Sequence, residues 1–96
     1  MEVLVTYDVA TETSAGRRRL RRVANVCLAF GQRVQKSVFE CRVTEAQLED
    51  LEHRLRREID ETEDSLRIYR LAGPRERVVK VVGVLPPNDF REPLIV

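Results

Sequence analysis

The hydrophobic spacing changes several times along the chain, and the order of these changes limits what it can fold into. Residues 2–7 form a short, mostly apolar run rich in β-branched side chains, which is typical of a central strand buried on both faces. Apolar residues in the segment 20–28 then recur at helical spacing, with Ser14 as the predicted N-cap and Gly31 as the predicted end. Residues 33–43 alternate with a period of two, which predicts one strand or, if it is interrupted, two.

The second half of the chain repeats this alternation of helix and strand. Thr44 and Gln47 have the spacing of a capping box ahead of a helical pattern at residues 48–59. Strand-like runs follow at residues 65–71 and 78–84. The order predicts the α+β class: a ferredoxin-like β-α-β-β-α-β sandwich with an additional C-terminal strand and both helices on one face of an antiparallel sheet.

The short length indicates one domain that gains stability by association. We expect a ferredoxin-like domain at residues 1–85 and an extended tail at residues 86–96, where prolines disfavour a helix. Because 96 residues bury a small core, a homodimer is expected. The apolar tail end, Leu94, Ile95 and Val96, could add as a strand to a partner, and the alternative is an unstructured terminus.

The two cysteines and the single histidine do not indicate a metal site. Cys27 and Cys41 lie in apolar periodic segments, and neither has a second cysteine or a histidine at ligand spacing, so we predict buried, reduced thiols. His53 lies among charged residues on a predicted helix and is expected to be solvated. No signal-peptide pattern and no run approaching about 20 apolar residues is found, so we expect a cytoplasmic protein.

Charge is distributed unevenly along the chain. Residues 1–43 have eight basic and four acidic side chains, whereas residues 44–72 have five and nine. Guanidinium groups suit phosphate oxygens, so the basic part predicts salt-dependent, largely nonspecific binding of nucleic acid. The candidates are Arg17, Arg18, Arg19, Arg21, Arg22, Arg33 and Lys36. The alternative is a solvated basic helix face.

Asp8 is the candidate catalytic residue and metal ligand, because it places a carboxylate at the end of a buried strand just before the arginines. One carboxylate is a poor set of ligands for Mg²⁺ or Mn²⁺, but a two-fold axis would supply a second Asp8 around one shared ion. Such an ion could activate water for phosphodiester hydrolysis, and no other catalytic motif is found. The alternative is an aspartate that forms a turn with the following backbone.

Four segments of the chain resemble the CRISPR-associated protein two family, whose members are small ferredoxin-like proteins of spacer acquisition. They are Val5-Thr6-Tyr7-Asp8-Val9, Gly-Arg-Arg-Arg-Leu-Arg-Arg-Val at residues 16–23, Gly-Gln-Arg-Val-Gln-Lys-Ser-Val-Phe-Glu-Cys at residues 31–41, and Asp-Ser-Leu-Arg-Ile-Tyr at residues 64–69. The terminal Pro-Leu-Ile-Val at residues 93–96 is similar to one subgroup.

The resemblance implies a homodimer with a metal ion between paired Asp8 residues and a basic surface that binds DNA and possible RNA substrates. It also implies that the dimer bridges two dimers of the CRISPR integrase. Family members have been described as metal-dependent nucleases acting on single-stranded RNA or duplex DNA. By motif position, the residues carried over are Tyr7, Asp8, Arg22, Arg33, Ser37 and Phe39.

Two functional hypotheses follow from these residues and this resemblance. In the first, the dimer is an adaptor that sets the geometry of DNA held by the integrase. In the second, it is an endonuclease in its own right that uses Asp8 and Mg²⁺. A ferredoxin-like binding module without a metal is the third possibility.

Overall fold

The computed structural model describes residues 1–84 and contains one antiparallel sheet with two long helices. Its elements are, in chain order, β1 (Glu2–Asp8), α1 (Ser14–Leu28), β2 (Gly31–Gln35), β3 (Val38–Arg42), α2 (Glu45–Glu58), β4 (Ser65–Arg70) and α3 (Arg75–Val78). The strand order is β2-β3-β1-β4, so β1 is central. The predicted ferredoxin-like β-α-β-β-α-β order is confirmed, and the segment 33–43 does divide into two strands.

Side chains alternate across β1, so one face of the sheet forms the core. Val3, Val5 and Tyr7 are buried with Phe39 of β3. The helices cover this face with apolar side chains, namely Val23, Ala24, Val26 and Cys27 of α1 and Leu48, Leu51 and Leu55 of α2. The opposite face is not covered by a helix layer, and Leu4 on that face is only half-buried. We call it the open face.

Threonines are the N-caps of both long helices. The Thr13 hydroxyl accepts a hydrogen bond from the Gly16 N–H at 3.0 Å, so Thr13 is the N-cap and the predicted cap, Ser14, is the first helical residue. The capping box of Thr44 and Gln47 is confirmed. None of α1, α2 and α3 is long and apolar enough to cross a membrane.

The additional strand predicted at residues 78–84 is wrong, because those residues pair with no strand of this sheet. Pro74 instead starts the short helix α3, and Arg75 of α3 is buried on the open face, where it donates to Glu40 at 3.0 Å. This ion pair places α3 over β3, because Glu40 is a β3 residue. The predicted tail, including Leu94 to Val96, lies outside the described residues.

The cysteine prediction is confirmed. Cys27 and Cys41 are free and buried. Burial raises the pKa of Cys27 to about 12 and that of Cys41 to about 11, so both remain neutral thiols at physiological pH. They contribute to the core as small apolar groups.

Gly31 permits the close approach of β2 to β3. A Cβ added there would lie 2.6 Å from the Cys41 Sγ and 2.7 Å from the Cys41 Cα. We expect Gly31→Ala to lower the free energy of unfolding by about 3 kcal/mol, because the strands must separate. Gly73→Ala is the control, since its Cβ meets only the Val78 Cγ1 at 3.6 Å. Urea unfolding measures both, and equal losses would contradict this assignment.

Candidate metal and nucleic-acid sites

Asp8 is the last residue of β1, and its carboxylate is exposed. Because side chains alternate along the strand, Asp8 points to the open face, away from the helices. Its antiparallel register partner is Ser65, the first residue of β4, so a carboxylate and a hydroxyl lie side by side there. The Asp8 carboxylate forms no hydrogen bond or ion pair within residues 1–84, so the turn-forming alternative lacks the contact that it requires.

This donor set fits half of a magnesium or manganese site. Carboxylate and hydroxyl oxygens are hard donors, and Mg²⁺ typically takes one or two carboxylates together with waters and phosphate oxygens. Residues 1–84 contain no group of three or more acidic, histidine or cysteine side chains close enough to hold a metal ion. A site at Asp8 therefore needs ligands beyond those in the described residues, and the two-fold hypothesis would supply them from a second copy.

Four of the residues carried over from the family motifs, Tyr7, Arg33, Ser37 and Phe39, meet behind Asp8, whereas Arg22 lies apart from them on the outward side of α1. The rings of Tyr7 and Phe39 stack with their centroids 6.1 Å apart, and the Arg33 guanidinium lies 5.1 Å from the Phe39 centroid. Burial raises the pKa of Tyr7, and a hydrogen bond with Arg33 partly offsets this shift. The Tyr7 N–H donates to the Ser37 carbonyl at 3.1 Å, and the Tyr7 hydroxyl reaches the Lys36 carbonyl at 3.5 Å. This cluster holds the β2–β3 turn beside the end of β1.

The arginines of α1 do not share one environment. Arg18, Arg21 and Arg22 are exposed and have no side-chain partner in the described part of the chain, while Arg17 donates to the Thr11 carbonyl at 3.1 Å. Helical spacing places these four on the outward side of α1. Arg19 points elsewhere: its side chain is 18% exposed and is paired with the Asp64 carboxylate.

Asp64 is the residue near the site that sequence reasoning missed. Its side chain is fully buried, and it accepts hydrogen bonds from Arg19, the Asp60 N–H and the Ala10 N–H. Burial alone would raise the pKa of Asp64, but the Arg19 guanidinium and the two backbone donors outweigh it and hold the pKa below its usual value. Asp64 begins the family-like segment 64–69 and directly precedes a predicted strand, but neither signal assigns its carboxylate a partner.

The structure does not bring the arginines of α1 and Asp8 together within one chain. The four outward arginines lie on the helix layer, on the side away from the sheet, whereas Asp8 lies on the open face beyond the sheet. A phosphate held by Arg18 or Arg22 is thus separated from the Asp8 carboxylate of the same chain by the thickness of the sandwich. The outward arginines and Asp8 therefore lie on different surfaces of the chain.

The sequence matches a known family along most of its length. The profile of the family described as CRISPR associated protein Cas2 matches residues 1–78. The CRISPR-associated endoribonuclease Cas2 1 of Moorella thermoacetica is 60% identical over 95 residues, which cover 99% of each chain. The CRISPR-associated endonuclease Cas2 of Halalkalibacterium halodurans is 50% identical over the same length, again with 99% of each chain covered.

Solved structures have the same fold. The crystal structure of Streptococcus pyogenes Cas2 at pH 6.5 superposes with a TM-score of 0.78 at 58% identity and covers 86% of this chain and 100% of that one. A Thermus thermophilus protein described as hypothetical, TT1823, superposes with a TM-score of 0.73 at 42% identity and covers 88% and 93%.

The lowered pKa of Asp64 predicts a pH-dependent contribution to stability. Because the folded pKa lies below the unfolded value of about 4, this contribution is complete above about pH 4 and is lost as the pH falls through the folded pKa. We expect Asp64→Asn to lower the free energy of unfolding by about 2 kcal/mol at pH 7. Chemical unfolding at several pH values should show that the difference in free energy of unfolding between parent and variant becomes smaller in acid. An exposed control, Glu49→Gln, should show no such trend, and a constant difference for Asp64→Asn would contradict the assignment.

Proposed function

Since the chain belongs to the CRISPR-associated protein Cas2 family, we propose that it acts in CRISPR adaptation as a homodimer that binds nucleic acid and bridges the CRISPR integrase. The observation that carries this proposal is the outward arginine surface of α1, formed by Arg17, Arg18, Arg21 and Arg22. The guanidinium groups of Arg18, Arg21 and Arg22 have no partner in the described residues and can contact phosphates without reading bases. Nucleic acid bound there would lie away from Asp8 of the same chain, and this separation favours an architectural role over cleavage.

The open face supports the proposed homodimer. Arg75 covers the part over β3, but Leu4 and Thr6 of β1 remain half-buried, and Tyr69 of β4 is 43% exposed. Beyond α3, Val84 is 95% exposed. Exposed apolar side chains next to a sheet face favour burial against a second copy. An isologous contact through β1 and β4 would bring the two Asp8 residues toward one axis.

A second function, metal-dependent phosphodiester hydrolysis, is favoured by the unpaired Asp8 carboxylate beside Ser65. Relatives carry the names endoribonuclease and endonuclease, which match this chemistry. In a dimer, each Asp8 would supply one carboxylate to a shared Mg²⁺ or Mn²⁺, and each Ser65 could add a neutral oxygen. Such an ion would supply Lewis acidity to a phosphate group and would activate water for hydrolysis. Single-stranded RNA and duplex DNA are the substrates to test.

Asp8→Ala tests the metal site. We expect the parent to bind one Mn²⁺ per two chains and the variant to bind none, because each ion needs both carboxylates. Calorimetric titration of the full-length protein measures both. Glu49→Ala, which removes an exposed acid without a partner in the described residues, should bind like the parent. One ion per chain would contradict the shared site.

The same variant separates the two functions. If the protein is an adaptor, Asp8→Ala should still support integration by the purified integrase while losing Mg²⁺-dependent cleavage. Loss of integration in a folded dimer of the variant would contradict the pure adaptor. Cleavage that survives in the variant, after contaminating nucleases are excluded, would contradict the Asp8 metal mechanism.

Replacing Arg18, Arg21 and Arg22 with alanine tests the arginine surface. Because each arginine releases about one counterion on contact with a phosphate, we expect weaker duplex binding and a slope of log affinity against log salt that is shallower by about 3. The control removes the same charge elsewhere, at the exposed residues Arg57, Arg77 and Lys80. Fluorescence anisotropy at several salt concentrations measures the slopes. Equal changes in both variants would contradict a localised binding surface.

A further inference from the structure

We propose that Asp64 and Arg19 are positioning residues for Asp8, and this inference rests on the proposed metal site. The Asp64 carboxylate joins three parts of the chain that meet at the end of β1: the loop after Asp8, the start of β4 and helix α1. None of these contacts involves Asp8 itself. The pair therefore acts through the backbone that carries the metal ligand.

The Asp64 carboxylate uses both oxygens. Oδ1 accepts from the Ala10 N–H at 3.0 Å and from Arg19 Nη2 at 3.3 Å. Oδ2 accepts from the Asp60 N–H at 2.8 Å and from Arg19 Nε at 2.8 Å. Four donors around a buried carboxylate define its position closely, because a shift that improves one hydrogen bond weakens another.

Ala10, two residues after Asp8, is held from both sides. The Asp64 carboxylate accepts a hydrogen bond from the Ala10 N–H. The Ala10 carbonyl oxygen lies so close to Gly16 of α1 that a Cβ on Gly16 would overlap it. These contacts therefore restrict the backbone between Asp8 and Ala10 to one conformation as it leaves β1. Because Asp8 ends the strand, this exit direction sets where its Cα–Cβ bond points.

The same carboxylate fixes the other strand at this point. Asp64 directly precedes Ser65, which is the register partner of Asp8. The Asp60 N–H hydrogen bond closes the loop between α2 and β4, so the start of β4 cannot slide along β1. The side chains of Asp8 and Ser65 therefore stay directly opposite each other on the open face.

Arg19 supplies the charge that this buried carboxylate requires. Its fork donates through Nε and Nη2, an arrangement that a lysine cannot reproduce. Glu63 also lies near Arg19, at 3.7 Å, but its side chain is 55% exposed and none of its side-chain contacts in the described residues reaches the loop after Asp8. Glu63 thus offers a matched control that removes an acid from the same arginine.

The test compares Asp64→Asn, Arg19→Lys, Glu63→Gln and Asp8→Ala as full-length proteins well below their unfolding temperatures. Mn²⁺ affinity is measured by electron paramagnetic resonance, and hydrogen exchange is followed at the Ala10 and Val5 amides. We expect Asp64→Asn to bind Mn²⁺ about tenfold more weakly, as is typical when a support of a ligand is removed. The Ala10 amide should exchange faster by a larger factor than the Val5 amide, in the centre of β1, which reports only the global loss of stability. Glu63→Gln should match the parent.

Three results would contradict the proposed roles or shift the test to another variant. If folded Asp64→Asn binds Mn²⁺ within twofold of the parent, or loses affinity while Ala10 stays protected, the positioning role is wrong. If Asp64→Asn does not fold, the same two measurements on Arg19→Lys decide, with a smaller loss of affinity expected because one charged donor remains. If Asp8→Ala binds Mn²⁺ like the parent, the proposed metal site itself is wrong, and the inference falls with it.

Discussion

The central strand β1 is hydrogen-bonded to β3 on one side and to β4 on the other, and its period of two decides where every neighbouring side chain goes. Val3, Val5 and Tyr7 must face the helices, because only that side offers an apolar layer. The same alternation turns Asp8 to the open face. A slip of one residue in either pairing would expose the core residues and bury the carboxylate, so the register that forms the core also presents the candidate ligand.

Three buried carboxylates are each paired with an arginine; the Glu2 pair joins two neighbouring strands, and the Glu40 and Asp64 pairs link the sheet region to α3 and α1. Glu2 accepts from Arg42 at 2.6 Å, Glu40 from Arg75 at 3.0 Å, and Asp64 from Arg19 at 2.8 Å. No buried side-chain nitrogen or oxygen in residues 1–84 lacks a hydrogen-bond partner. Buried ion pairs add little net stability, but removal of one member leaves the other charge unpaired. Their main effect here is to determine where α1, α3 and the loop after β1 dock.

These pairs also divide the basic residues into two groups with different roles. Arg19 and Arg75 are used within the fold, whereas Arg18, Arg21 and Arg22 remain free on the outer side of α1. Under the proposed function, nucleic acid would be bound on the helix layer without disturbing the sheet. The open face, with Asp8 and half-buried Leu4, would then serve the contact with a second copy. This separation would let one small chain combine a phosphate-binding surface with a metal site shared across a two-fold axis.

The sequence alone determined the two long helices, the strands of the main sheet, the capping box at Thr44 and the place of Asp8 at a strand end, because periodicity and capping act over a few residues. It did not determine that Arg19 pairs with Asp64, 45 residues away, that Arg75 pairs with Glu40, or that residues 78–84 stay outside the sheet. Nor could spacing separate Arg19 from its neighbours. Only the tertiary structure decided these points, because the burial and the partner of a charge depend on which distant segments pack together.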